Sequence, residues 1–453
     1  MLTILTTVLA FIVVFAIVVI VHEFGHFWVA RRMGVRVLRF SIGFGSILWR
    51  KVDKYGTEYV LAAIPLGGYV KMLDGREQTL SEDEKPYAFD LKPVSKRFAI
   101  VLAGPVFNFL FAILAYAVIL MVGVQKVAPV IADVLENSPA ATAGIKIGDE
   151  IIAVDQQTTN DWQSVYFAIL QRTGEAGTVN LQVRQFPQGP ARDYELPLQA
   201  LHKPQGQQAD PLSDLGITLG LPFIPAIIEE VAPGQPADTA GLKSGDEVTA
   251  LNGKPIKNWY DLVDHIRNNS NEPVTLTINR AGETLNVLVT PKLEEIDGVK
   301  AGMIGIKIKQ PEWPPEFMHI QREWPLAALD KGLVYTWDLS ALTFDIMGKM
   351  ITGKVALENL TGPISIARGA QESAVSGWLQ FVSFLILLSV NLGVINLLPI
   401  PMLDGGHLLY YVIEWIRGKP VSEATQRIGF FIGLLVIISL MLVGLHNDLM
   451  SFW

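Results

Sequence analysis

The chain has 453 residues, half of them hydrophobic and only 18% charged, with a mean hydropathy of +0.35. Soluble chains carry about 25% charged residues, so the composition points to a membrane protein; 21 Phe, 11 Tyr and 10 Trp exclude intrinsic disorder. With 36 Lys and Arg against 44 Asp and Glu the net charge is −8, which leaves no electrostatic footprint for nucleic acid, and the absence of Cys excludes disulfides, thiolate zinc sites and Cys nucleophiles.

The first apolar run extends from Ile4 to about Ala30. No Lys or Arg precedes it and it is too long for a signal-peptide core, so it is expected to remain as a membrane span. Near its end stands Val21-His22-Glu23-Phe24-Gly25-His26. Two His four residues apart on a helix share a face one turn apart, so both imidazoles reach one Zn²⁺. Glu23 lies about 100° round the helix, near the metal and placed to take a proton from water. An uncompensated carboxylate at the hydrocarbon edge costs about 2.5–3.5 kcal/mol, which argues against a purely structural role.

The segment from Arg31 to Arg97 carries 13 Lys and Arg against 8 Asp and Glu, so the positive-inside rule places it in the cytoplasm. Within it, Thr57 to Ala63 and Tyr69 to Leu73 are expected as short strands around a turn at Ile64-Pro65-Leu66-Gly67-Gly68. A second span is expected from Phe98 to Val124, where Gly104-Pro105-Val106-Phe107-Asn108 suits close helix packing.

The long segment from Gln125 to Gly377 has 20 basic against 31 acidic residues and is expected on the outer side. It repeats itself: Ala143-Gly144-Ile145-Lys146-Ile147-Gly148-Asp149-Glu150 returns as Ala240-Gly241-Leu242-Lys243-Ser244-Gly245-Asp246-Glu247 at an offset of 97, and Trp162 and Trp259 keep that offset. Two copies are too few for a solenoid, so two globular modules follow, each with a strand, a polar turn and a helix after the Trp. The pattern resembles the circularly permuted bacterial PDZ fold over about 127 to 310. That resemblance places the peptide-receiving loop and strand edge at Leu215-Gly216-Ile217 and at Ile304-Gly305-Ile306. Either the modules bind a C-terminal peptide or they only occlude and space the membrane part. Residues 311–377, with an amphipathic stretch from Leu326 to Met350, are expected as an outer linker region.

The third run, Trp378 to Leu398, leads into Asn396-Leu397-Leu398-Pro399-Ile400-Pro401-Met402-Leu403-Asp404-Gly405-Gly406-His407. Alternate prolines stop the helix and hold an extended segment at the membrane boundary, with Asp404 on irregular backbone. Two His leave a catalytic zinc site one protein ligand short. Asp404 and His407 share the inner side with the pair. Asn391 and Asn396 are polar groups within the third span; Asn396 is placed to bond substrate backbone, to stabilise an oxyanion, or to bond a neighbouring helix. A fourth run, Ile428 to Leu445, completes four spans, so both termini are expected on the outer side.

The paired motifs resemble the site-2 intramembrane zinc metalloproteases and, with two PDZ-like modules between the second and third spans, their bacterial RseP-type members, which regulate sigma-E. The resemblance covers essentially the whole chain. It implies one Zn²⁺ per chain on His22, His26 and Asp404, with Glu23 as the general base. Gly43-Phe44-Gly45 and Ile64 to Lys71 are similar to the family's membrane-associated β region; a plain surface hairpin is the alternative. Ile64, Gly67, Gly68, Asn396, Pro399 and Pro401 are then candidates for substrate binding. The implied fold class is a multidomain membrane protein: an α-helical transmembrane core of four spans with a small β region, plus two periplasmic PDZ-like α+β domains. Its divisions are 1–126, 127–220, 221–310, 311–377 and 378–453. The implied activity is cleavage of transmembrane segments in the bacterial inner membrane. An anti-sigma factor already cut once outside, together with remnant signal peptides, are the implied substrates, with the lipid bilayer as a further partner. A membrane-anchored PDZ adaptor without protease activity is the competing reading; it leaves Glu23 and Asp404 without a role.

Overall fold

The computed structural model describes residues 2–450 apart from 173–174, 176, 199–210, 221–223, 257, 297–298, 309–312 and 358–359. It divides into two compact units, a helical one built from residues 1–124, 321–351 and 360–448, and a strand-rich one built mainly from 125–320.

The helical unit begins with α1 (Leu2–Arg32), long enough at about 1.5 Å per residue to cross a bilayer. Strands β1 (Val37–Val52) and β2 (Glu58–Met72) follow, and then α2 (Val94–Val122). Its later helices are α8 (Pro325–Ile351), α9 (Pro363–Ser376), α10 (Trp378–Leu397), α11 (Asp404–Arg417) and α12 (Glu423–Met450). Among the described residues, α1, α2, α10 and α12 are long and apolar enough to cross a membrane, matching the four apolar runs. Backbones approach closely where glycine permits. A Cβ on Gly25 of α1 would lie 2.3 Å from the Ala103 carbonyl of α2, and one on Gly433 of α12 would lie 1.6 Å from the Pro401 carbonyl. At the C-terminal end of α12, buried Asp448 accepts hydrogen bonds from the Ile364 amide and the Ser365 hydroxyl, capping α9 from a distant part of the chain.

The β region differs from the expected pair of short strands. Each of its two strands is long and bent, at Gly43 and Gly45 (both φ 87°) in β1 and at Gly67 (φ 117°) in β2. Such dihedrals favour glycine. A Cβ on Gly67 would also strike the Phe44 ring. The bends let the segment from Arg39 to Ile42 pair with Gly68 to Lys71 on one side and with Glu58 to Leu61 on the other, while Trp49 to Val52 pairs with the same Glu58 to Leu61. Gly68 to Lys71 therefore forms an outer edge of the sheet.

The strand-rich unit contains β3 (Val124–Val127), which pairs with β18 (Met318–Gln321), and two modules with the same order of elements. The first comprises β4 (Ile131–Val134), α3 (Pro139–Ala143), β5 (Asp149–Val154), β6 (Gln157–Thr158), α4 (Trp162–Leu170), β7 (Thr178–Gln185), β8 (Ala191–Pro197), α5 (Pro211–Leu215) and β9 (Ile217–Leu219). The second comprises β10 (Ile228–Val231), α6 (Pro236–Thr239), β11 (Glu247–Leu251), β12 (Lys254–Pro255), α7 (Trp259–Asn268), β13 (Val274–Arg280), β14 (Glu283–Val289), a hairpin of β15 (Lys292–Ile296) and β16 (Val299–Met303), and β17 (Ile306–Ile308). Their sheets run β6-β5-β7-β8 and β12-β11-β13-β14. The equivalent helices carry the same reciprocal capping device, Asp161 with Ser164 and Asn258 with Asp261. Each module buries its own apolar core, around Ile151, Val165 and Leu181 in one and Val248, Leu262 and Leu276 in the other. Each such side chain contributes about 1.5–3 kcal/mol by leaving water.

Candidate metal and catalytic site

The 3.6-residue period of α1 stacks His22 and His26 on the face turned toward α2, with their Nε2 atoms 3.2 Å apart and both side chains buried. On α2 the stripe Ile100, Gly104, Asn108 repeats every four residues and meets them. The Ile100 carbonyl lies 2.9 Å from His26 Nδ1, and the Asn108 amide lies 3.1 Å from His22 Nδ1. Between them, a Cβ on Gly104 would lie 2.3 Å from His26 Nε2 and 2.8 Å from His22 Cε1, so only glycine leaves room for the two rings.

The third group arrives from the other end of the chain. After α10 the backbone is irregular from 398 to 403, and α11 then starts at Asp404. Asp404 thus stands on the first residue of a helix, where the sequence pattern had suggested irregular backbone. Gly405 and Gly406 make this start possible: Cβ atoms there would lie 2.1 Å from the Leu398 carbonyl and 2.5 Å from the Ile400 carbonyl. Met402, two residues before the aspartate, has φ 123°, a strained value of the kind that collects at functional sites.

Asp404 Oδ2 lies 3.1 Å from His22 Nε2 and 3.4 Å from His26 Nε2. Burial alone would push this carboxyl up, but the two facing imidazoles hold it well below the usual carboxylate range. Among the described residues, His22, His26 and Asp404 form the one cluster able to hold a metal ion, with ligand atoms within 4.8 Å of one another. His407 is not part of it. Two ring nitrogens and a carboxylate oxygen, the latter buried without a hydrogen-bond partner, suit a zinc ion in donor type and number.

The cluster opens into a cavity of about 360 Å³. Glu23 and Asn396 line it, as do Met402 and Leu403, and its opposite wall is the strand edge from Gly67 to Val70. Gly68 has no space for a side chain, since a Cβ there would sit 2.8 Å from the Ser41 carbonyl and 3.2 Å from Glu23 Cγ. The backbone of β2 therefore approaches Glu23 directly, and the Val70 amide faces its carboxylate.

Of the residues singled out in the sequence, His22, Glu23, His26, Asp404, Asn396, Gly67 and Gly68 come together here. Ile64 is half exposed at the bend opposite Phe44, outside the cavity lining. Pro399 is exposed, and Pro401 packs against Gly429 and Gly433 of α12. Asn391 accepts a hydrogen bond from the Thr343 hydroxyl of α8, an interhelical contact. Sequence reasoning missed Ile100 and Asn108 as partners of the histidines; the four-residue stripe on α2 was the available signal.

In the modules, Gly216 (φ 78°) and Gly305 (φ 75°) turn the chain into β9 and β17. Their carbonyls accept from the Leu135 and Ala232 amides, while Leu215, Ile217 and Ile304 are buried in the module cores and Ile306 pairs with Val231. Among the described residues β9 and β17 each pair on one side only, with β4 and β10.

A family model described as peptidase family M50 matches residues 10–440. The chain belongs to this family of site-2 proteases. "Regulator of sigma E protease" from Salmonella typhi is 44% identical over 448 residues, 99% of each chain. "Regulator of sigma-E protease RseP" from Escherichia coli K12 shows the same identity and coverage, and a "Putative zinc metalloprotease" from Vibrio cholerae is 40% identical over 453 residues, 98% of each. A solved PDZ domain from Listeria innocua matches 19% of this chain and 97% of its own at 23% identity, with a TM-score of 0.17. The protein is therefore a zinc metalloendopeptidase of the sigma-E system, and with its four apolar helices a multi-pass protein of the inner membrane.

Proposed function

We propose that the protein cuts peptide bonds within or beside transmembrane segments, with one zinc ion per chain on His22 Nε2, His26 Nε2 and Asp404, and Glu23 as general base. The observation that carries this is the convergence of three ligand atoms beside Glu23 in a cavity walled by a strand edge. Bound zinc supplies Lewis acidity toward the scissile carbonyl. Glu23 takes a proton from the attacking water at its carboxylate and returns it to the leaving amine. A helical substrate hides its amides and carbonyls in its own hydrogen bonds, so it must unwind before cleavage. The Gly67 to Val70 edge receives the unwound segment as an added strand and holds its backbone against Glu23. Asn396, on the cavity wall, bonds substrate backbone.

The relatives' printed role in regulating sigma-E supports an anti-sigma factor as substrate, after a first cut outside the membrane. Remnant signal peptides fit the same site chemistry. The charge balance supports a cytoplasmic β region, with both modules and both termini in the periplasm. The modules, PDZ-like by sequence pattern and duplicated sheet order, screen substrates at their strand edges, by excluding bulky outer domains or by binding a new C-terminus. The deciding experiment uses detergent-solubilised protein and a tagged transmembrane substrate. Glu23→Gln is expected to keep its zinc and lose cleavage by about 10²–10⁴-fold; a variant that still cuts at the wild-type rate removes Glu23 from the chemistry.

A further inference from the structure

We propose that Asn108 is a positioning residue that accepts the His22 Nδ1–H and so fixes His22 in the tautomer whose Nε2 lone pair faces Asp404. The inference rests on the zinc site above and deepens it. Neutral imidazole carries one N–H, and the hydrogen bond made by one ring nitrogen decides whether the other is free to ligate. His26 is already settled: its Nδ1 lies 2.9 Å from the Ile100 carbonyl, which only accepts, so Nδ1 holds the proton and Nε2 is free. Among the described residues no backbone carbonyl takes that role for His22. Its Nδ1 faces the side-chain amide of Asn108, 3.1 Å away.

That amide has a donor end and an acceptor end, exchanged by a half turn about its last bond. With Nδ2 toward the ring, His22 Nδ1 must accept, the proton moves to Nε2, and Nε2 is lost as a ligand; Asn108 Oδ1 is then also buried with no partner. With Oδ1 toward the ring, Nδ1–H donates to it and Nε2 turns its lone pair to the cluster, while Nδ2 takes the buried position that Oδ1 leaves. Asn108 is fully buried, and its position is held by its own backbone, whose carbonyl accepts a hydrogen bond from Ser389 Oγ of α10. Gly393 of α10 lies beside it, where a Cβ would sit 3.4 Å from Asn108 Cβ. The stripe on α2 thus repeats the spacing of the histidines it serves: Ile100 for His26, Gly104 for ring space, Asn108 for His22.

The test is zinc affinity by chelator competition on full-length solubilised protein, comparing wild type with Asn108→Asp, which keeps an acceptor, and Asn108→Leu, which keeps the approximate volume and loses it. The expected result is zinc binding within about threefold of wild type for Asn108→Asp and weaker by about 10–100-fold for Asn108→Leu. A merely structural role moves both variants together, so equal affinities in the two, whether both retained or both lost, overturn the proposal. Where Asn108→Leu does not purify, Asn108→Ala stands in for it with the same expectation. Wild-type protein that binds no zinc removes the metal site itself and this proposal with it, whereas zinc held tightly by wild type and by Asn108→Leu removes Asn108 alone.

Discussion

Asp246 in the second module of the strand-rich unit and Asp404 beside the histidines are both carboxylates taken out of water, and they are treated differently. Asp246 is fully buried and fully answered: Arg280 donates to both its oxygens at 2.7 Å, and the Lys243 amide donates at 2.8 Å. Asp404 has neither Lys nor Arg in the cavity beside it, and its Oδ2 is buried facing two ring nitrogens without a hydrogen bond. A protein that needs a buried carboxylate for structure supplies the countercharge itself. Asp404 is answered instead by two imidazoles, partners whose ring nitrogens can also turn to a metal ion. The first module makes the same point with a different residue: Arg184 there engages Glu150, one position on from the Asp of the repeat.

The sharpest break in this contrast is Asp404→Asn, which should weaken zinc by at least about 100-fold, since a lost ligand outweighs a lost supporting contact. Metal analysis and chelator competition read the loss. Next comes Gly104→Ala, where the added methyl group collides with both imidazoles and should weaken zinc about 10–100-fold, again by chelator competition. Asp246→Ala should do the reverse of Asp404→Asn, leaving zinc content unchanged and destabilising the second module by about 2 kcal/mol, at the low end for a broken pair because Arg280 reaches water. Faster hydrogen exchange in β11 and β13, with none in α1, would show it.

The smallest effect is on pH. Burial pushes the Asp246 carboxyl up, but Arg280 and the Lys243 amide outweigh it and hold the group below its ordinary value. The stability this supplies is complete above the ordinary carboxylate range and is lost as pH falls through the depressed value. Asp133 and Asp264 are shifted upward, by burial first and then by neighbouring carboxylates, so they take up protons earlier in the folded state and add stability as acidification begins. Protection of the module strands from exchange is therefore expected to rise slightly and then fall on acidification; a monotonic fall would remove Asp133 and Asp264 from the account.

Much of this was visible before any fold. The four spans follow from apolar length, the module repeat from an eight-residue match, and the His22, Glu23 and His26 spacing from helix periodicity. Local signals of this kind survive because each is written within one element. The roles of Asn108 and Ile100 were not visible, since each partner lies more than 70 positions away in the chain and only the packing of α1 on α2 unites them. The bent β region was half visible: the turn at Ile64 to Gly68 was expected, but the double pairing of Arg39 to Ile42 is a long-range choice that short-range pattern does not encode. Helices α8 and α9 lay in a stretch with no motif, and only the amphipathic pattern from Leu326 to Met350 foreshadowed the first of them.

The proposed ligands His26 and Asp404 are separated by most of the chain. During synthesis at roughly 5–20 residues per second, the ribosome delivers the aspartate some 20–80 s after the histidines. Through that interval the nascent chain sits among other newly inserted membrane segments with Glu23 in place and its metal site incomplete. A protease whose activity waits for nearly its last helix is harmless while being made.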